Sequence, residues 1–194
     1  MSKTIKPTTF AHVVYRTHRF EEMLKWYQTV FGAKLQFKSD VIAFLAYDDE
    51  HHRVAFLNLS IIKPSDGPAP KIRDVGVDHV AYGYRSLTEL LEKYAQLKEQ
   101  AILPYWCIHH GITVSMYYAD PDGNQMEFQV DSFGTNDEAN AFMAGPHYEL
   151  NPIGVEYDPE EMLRRVRAGE PEETFLPRHE HLPVAPVRGS LGLA

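Results

Sequence analysis

Residues 12–27 read HVVYRTHRFEEMLKWY, and residues 79–94 read HVAYGYRSLTELLEKY. Displacing the chain by 67 positions sets His12 on His79, Val13 on Val80, Tyr15 on Tyr82, Glu22 on Glu89, Leu24 on Leu91 and Tyr27 on Tyr94. Six of sixteen positions agree, where unrelated segments would share about one, so an internal duplication sets the fold. Two similar amphipathic helices would not also align a histidine upstream of each. In both copies a strand rich in Val, Tyr and Phe (8–15 and 76–84) precedes a helical pattern. The first helix repeats Phe20, Leu24, Tyr27 and Phe31, with Gly32 placed for a left-handed cap. The second opens with Ser86 and Glu89 as a capping box and carries Leu87, Leu90, Leu91, Tyr94 and Leu97 on its apolar face. Strand-like segments follow at 34–38, 41–47 and 53–61, and again at 102–108, 112–119 and 125–131. The turn Asp120-Pro121-Asp122-Gly123-Asn124 joins the last pair.

The expected fold is therefore α+β: paired βαβββ modules forming a curved, partly open mixed sheet around a cavity, with a C-terminal extension. Module one spans 8–62, the Pro-rich segment 63–75 is a linker, and module two spans 76–131, so that residues 1–131 make one domain. The extension 132–194 holds seven prolines and one expected short helix at 159–168, opened by Asp158 and Pro159. It is too thinly apolar to fold alone and is expected to wrap the domain or a partner subunit.

Composition narrows function. Lys and Arg number 19 against 27 Asp and Glu, for a net charge of −8, and no block of like charge occurs, which argues against nucleic acid. The longest apolar run, Val41 to Tyr47, is seven residues, against the roughly 20 a membrane helix needs. No apolar leader is visible, and the single cysteine, Cys107, cannot form an intrachain disulfide, so a cytoplasmic protein is expected.

The duplication gives the histidines their meaning. His12 shares a strand face with Phe10 and Val14 and is expected to point inward. If the copies are related by a pseudo-twofold axis, His12 and His79 converge, and a divalent metal is the natural shared partner. Glu127, on the last strand of module two, supplies a carboxylate, the alternative being a solvent-facing side chain between Gln125 and Gln129. Pairing Phe56 with Phe128 sets Ala55 opposite Glu127 in the duplication, so no fourth ligand is expected. Two imidazoles and one carboxylate with open positions match the facial pattern of non-haem iron oxygenases.

These residues resemble the vicinal oxygen chelate (glyoxalase/bleomycin resistance/dioxygenase) superfamily, and within it the type I extradiol catechol dioxygenases, over about residues 9–131. The resemblance rests on His12 and His79, on Tyr117 through Glu127 with its ten-residue spacing, on His51-His52-Arg53-Val54-Ala55-Phe56, and on His110-Gly111-Ile112-Thr113. It implies a metal site of His12, His79 and Glu127 holding Fe(II), or alternatively Mn(II). It further implies His52 as acid–base residue, and His110 and Tyr117 as substrate-contacting groups, with His109 competing for the place of His110. A small aromatic diol and O2 would be the substrates, and a homodimer or higher homo-oligomer is expected. Phe44, Phe56, Trp106 and Tyr118 are expected to wall the pocket, His147 to cap its mouth, and His18, His179 and His181 to lie on the surface. The alternatives are a glyoxalase-like metal-dependent isomerase, which would want a carboxylate near Ala55, and a metal-free small-molecule-binding protein of the same fold.

Overall fold

The computed structural model describes residues 10–64 and 77–189. They divide into two compact units. The first takes in 10–64 with the turn Asp120–Asp122, and the second 77–119 with 123–189.

In the first unit, β1 (Val13–Thr17) leads into α1 (Phe20–Phe31), then β2 (Lys34–Lys38), β3 (Ile42–Ala46) and β4 (Val54–Asn58). The sheet order is β1-β4-β3-β2, with β1 and β4 parallel and the other pairs antiparallel. The expected last strand, 53–61, stops at Asn58. There the Asn58 side chain accepts the Ser60 N–H at 3.1 Å and opens a short helix, α2 (Leu59–Ile62), so local capping overrides the β-rich composition. Helix α1 buries Phe20, Met23, Leu24, Tyr27 and Val30, and Gly32 closes it at φ 62°. Each such buried side chain contributes about 1.5–3 kcal/mol.

In the second unit, β5 (His79–Gly83) and α3 (Leu87–Lys98) are followed by β6 (Trp106–His109), β7 (Thr113–Ala119) and β8 (Gln125–Asp131). The strand expected over 102–108 begins only at Trp106. Residues 8, 9, 76 and all but the first two of the linker 63–75 fall outside the described residues. Gly123 takes the positive φ of the turn, at 84°. Ser86 accepts the Glu89 N–H at 3.1 Å, but the Glu89 carboxylate turns to the Arg85 N–H, so the capping box forms by half. All five expected apolar residues of α3 are buried.

The extension is richer than its composition suggests. Helix α4 (Asn136–Met143), α5 (Pro146–Leu150), strand β9 (Val155–Glu156) and α6 (Pro159–Arg167) follow, then a 3-10 turn at Glu172–Thr174. α4 opens on a complete capping box between Thr135 and Glu138, whose Thr-x-x-Glu spacing is legible in the sequence. β9 pairs with β6, extending the second sheet to β5-β8-β7-β6-β9. Ala185 packs with Trp106, Ile108 and Tyr117. The extension thus folds onto the second module's sheet. Among the described residues no helix is long and apolar enough to cross a membrane.

Candidate active site

Register sorts the two faces of each sheet. In the first unit Val14 pairs with Ala55 and Tyr15 with Phe56; in the second Ala81 pairs with Glu127 and Tyr82 with Phe128. Ala55 therefore stands where Glu127 stands in the other copy, as expected. The same alternation corrects the pocket walls. Phe56 faces the helix side, fully buried against Tyr27 at 4.9 Å, and Tyr118 packs on Phe128 at 5.1 Å. Phe44, opposite Ala55, and Trp106, opposite Tyr117, lie on the other face.

Glu127 is not the solvent-facing residue of the alternative reading, since only 6 % of it is exposed. A buried carboxylate needs compensating partners. His79 Nε2 lies 3.2 Å from Oε2, and His110 Nε2 lies 3.8 Å from Oε1. Burial alone would raise the Glu127 carboxyl, but hydrogen bonds from His79 and Ser115, with the charge of His79, hold it below the usual carboxylate range. Reciprocally, the bond to Glu127, offset by burial and aided by Asp78, raises His79 to about 9. Asp78 Oδ1 takes His79 Nδ1 at 2.7 Å, and Gln125 donates to the Asp78 carbonyl at 3.0 Å while accepting from the Tyr105 hydroxyl at 2.7 Å.

The second His–carboxylate contact directs Nε2 of His79 toward Glu127, the arrangement by which an outer carboxylate orients a metal-binding imidazole. The donor set fits a divalent cation: an anionic oxygen and an imidazole nitrogen lie 3.2 Å apart on one face of the sheet. Among the described residues no group of three or more His, Cys, Asp and Glu side chains gathers as a metal site. The second unit provides this pair.

Tyr117 lies opposite Glu127 across the β7–β8 ladder. Its hydroxyl is 3.1 Å from His110 Nε2, and burial together with the Glu127 charge pushes its pKa up. A cleft of about 770 Å³ opens beside these groups, lined by His110, Thr113, Tyr117, Glu127 and Gln129 from the sheet and by Asn136, Asn140, Met143 and Tyr148 from the extension. That volume suits a small organic molecule. His109 turns away. Its Nε2 meets the Leu176 carbonyl at 2.8 Å and its Nδ1 accepts the Gly111 N–H at 3.0 Å. Tyr148, rather than His147, lines the cleft; His147 is exposed, with Nδ1 3.9 Å from Glu180.

In the first unit His12 precedes β1, and it is exposed together with Phe10 and Val14, so this face does not join the apolar core as expected. The core side belongs to Tyr15, stacked on Phe56 at 5.9 Å. The Arg53 guanidinium donates to the carbonyls of Phe10 and Ala11, and its own carbonyl accepts the Val13 N–H at 3.0 Å, which fixes the approach to His12. The ring of His52 lies 4.5 Å from those of both His12 and Phe44. Burial, then the neighbouring His12 and His51, lowers the His52 pKa and favours the neutral ring. His18, His179 and His181 are exposed.

Two open mixed sheets, each with a covering helix, make a scaffold of duplicated βαβββ modules, and the second carries the His79–Glu127 pair. The chain belongs to the Glyoxalase/Bleomycin resistance protein/Dioxygenase superfamily, whose pattern matches residues 9–128. It is 44% identical over 162 residues to biphenyl-2,3-diol 1,2-dioxygenase 2 of Rhodococcus globerulus, covering 84% of this chain and 83% of that one. It is 36% identical over 177 residues to biphenyl-2,3-diol 1,2-dioxygenase 3 of the same organism, covering 90% of each. Solved structures share the fold. A glyoxalase/bleomycin resistance protein/dioxygenase from Nocardioides superposes with a TM-score of 0.53 at 20% identity, over 68% of this chain and 89% of that one. Lactoylglutathione lyase from Agrobacterium tumefaciens gives 0.51 at 18% identity, over 64% and 94%.

Proposed function

We infer that this chain is an extradiol ring-cleaving dioxygenase acting on a catechol-type diol with O2. The observation that carries the reading is the buried Glu127 carboxylate between His79 and His110 on a cleft of about 770 Å³, in a chain 44% identical to a biphenyl-2,3-diol 1,2-dioxygenase. His79 and Glu127 hold Fe(II), or alternatively Mn(II), and His12 is assigned as the third ligand from the sequence correspondence alone. When bound, the metal supplies acidification of the diol and an electron path between diol and dioxygen.

The protein's own groups do the rest. Tyr117 and His110 take up the diol oxygens and orient the ring. His52, whose neutral form its surroundings favour, accepts a diol proton and later returns one, as a general base and acid. Both oxygen atoms of O2 enter the ring-opened product. Ala55, where an isomerase of this fold would want a second carboxylate, offers no group for proton transfer, which disfavours the glyoxalase-like alternative.

Reconstitution with Fe(II) under anaerobic conditions, followed by a panel of catechols in air, tests the proposal through oxygen uptake and product absorbance. Uptake with at least one catechol is expected; metal bound at one per chain without uptake for any of them would leave a binding protein. The ligand assignment has its own test. Because His79 is raised to about 9, a metal must displace its proton. Mn(II) affinity of the metal-free protein is therefore expected to rise roughly tenfold per pH unit below that value. A flat dependence, read by electron paramagnetic resonance of free Mn(II), would remove His79 from the ligand set.

A further inference from the structure

We propose that Arg178 and the Ile153 carbonyl, both in the extension, are positioning groups for His110 and fix the tautomer whose Nε2 lone pair faces the cleft. The proposal rests on reading His110 as a substrate-contacting group. Its geometry begins at the ring. Nδ1 of His110 lies against the Ile153 carbonyl, which can only accept, so the neutral imidazole carries its proton there. Nε2 is then an acceptor, and the Tyr117 hydroxyl at 3.1 Å donates to it. The Tyr117 hydrogen has His110 Nε2 and the Glu127 carboxylate as its two acceptors, and in either case the phenol oxygen can still accept from a ligand hydroxyl. A diol is the kind of ligand that supplies such a donor.

The extension holds both ends of this chain. Asn151 closes a tight loop around Ile153, accepting the Gly154 N–H at 2.7 Å and donating to the Gly154 carbonyl at 3.0 Å. Gly154 sits at φ 124°, and a Cβ there would lie 2.4 Å from the His109 carbonyl oxygen, so the loop backbone rests directly on the residue before His110. The Arg178 side chain, entirely buried, donates to the His110 carbonyl at 3.0 Å, to the Asn151 carbonyl at 2.7 Å and to the His147 carbonyl at 2.9 Å. Glu180 takes its remaining donors at 3.1 and 3.0 Å, and the Phe142 ring lies 5.4 Å beneath it. One guanidinium thus ties the peptide of His110 to the loop that holds its ring. An ammonium cannot reproduce this fork, and a pure packing role would be filled at lower cost by an apolar side chain.

The test is a double-mutant cycle with a spectroscopic arm. Arg178→Ala is expected to lower kcat/KM for the best catechol roughly 100-fold, the scale of a displacement of about 1 Å in a catalytic group. Arg178→Lys should recover part of that loss. In a His110→Ala background, Arg178→Ala should cost less than about threefold more, because the group it positions is gone. Fully additive losses would overturn the proposal. In the metal-free, 15N-labelled wild-type protein, His110 should show a protonated Nδ1 and a bare Nε2. A wild-type ring protonated at Nε2 would overturn the proposal whether or not any catechol is turned over, which separates its failure from failure of the dioxygenase reading. If Arg178→Ala does not fold, Arg178→Lys in the same cycle and the wild-type spectrum decide.

Discussion

Glu127→Gln is expected to strip the protein of its metal and to leave less than about one hundredth of wild-type turnover, a larger loss than the roughly 10–100-fold that removal of an outer partner costs. The amide keeps the size of the side chain and can still accept a hydrogen bond, so the fold survives while the charge is lost. The same change has a signature that needs no metal. His79 is held at about 9 by Glu127 and Asp78, against an ordinary 6.5. Its contribution to the metal-free protein is fully present below pH 6.5, where both folded and unfolded chains are protonated, and is lost as pH rises through 9. Glu127, held low, contributes above the ordinary carboxylate range and loses that contribution as pH falls through its folded value. The metal-free wild type should therefore be most stable between about pH 5 and 6.5, and the midpoint of its urea unfolding should decline on the alkaline side. In Glu127→Gln that alkaline decline should largely vanish. Metal content is read by elemental analysis and stability by unfolding followed through circular dichroism. Metal retained at one per chain would remove Glu127 from the ligand set.

What the sequence made legible follows from which forces are local. The duplication, α1, α3 and the Gly32 cap rest on periodicity and on single residues, and the structure has them where expected. The equivalence of Ala55 and Glu127 needed only register, and register is carried by the alternation of the strands. Faces were harder. His12 was expected to point into apolar packing because Phe10 and Val14 flank it, yet all three are exposed and Tyr15 lies on the core side. Alternation shows which residues share a face but not which face the helix covers. Phe56 and Tyr118, expected as pocket walls, belong to the opposite face for the same reason. Arg178 was illegible: its importance comes from carbonyls at residues 110, 147 and 151 meeting around one guanidinium, and no sequence spacing announces that. The capping box at Thr135 and Glu138, by contrast, stood in the sequence, and it begins the helix that walls the cleft.

The second large effect is expected at His52. His52→Ala should reduce turnover by roughly 100-fold, the scale of a lost general acid–base group, with metal content and catechol KM changed by less than about twofold because no ligand or orienting contact is assigned to it. Its ring is stacked on Phe44 at an interplanar angle of 24° and on His51 at 17°, which restricts the imidazole. Burial and the neighbouring His12 and His51 favour the neutral ring, so the group is a base rather than a cation near neutrality. The sign of the pH effect follows. A base must be unprotonated to act, so wild-type kcat/KM should fall only below the ordinary imidazole range, and that acidic limb should disappear in His52→Ala. His12→Ala, whose ring lies 4.5 Å from that of His52, is the discriminating companion: it should lose metal along with turnover. Two variants at touching rings would then separate a metal-holding role from a proton-moving one. Loss of metal in His52→Ala, or unchanged turnover, would take His52 out of the chemistry.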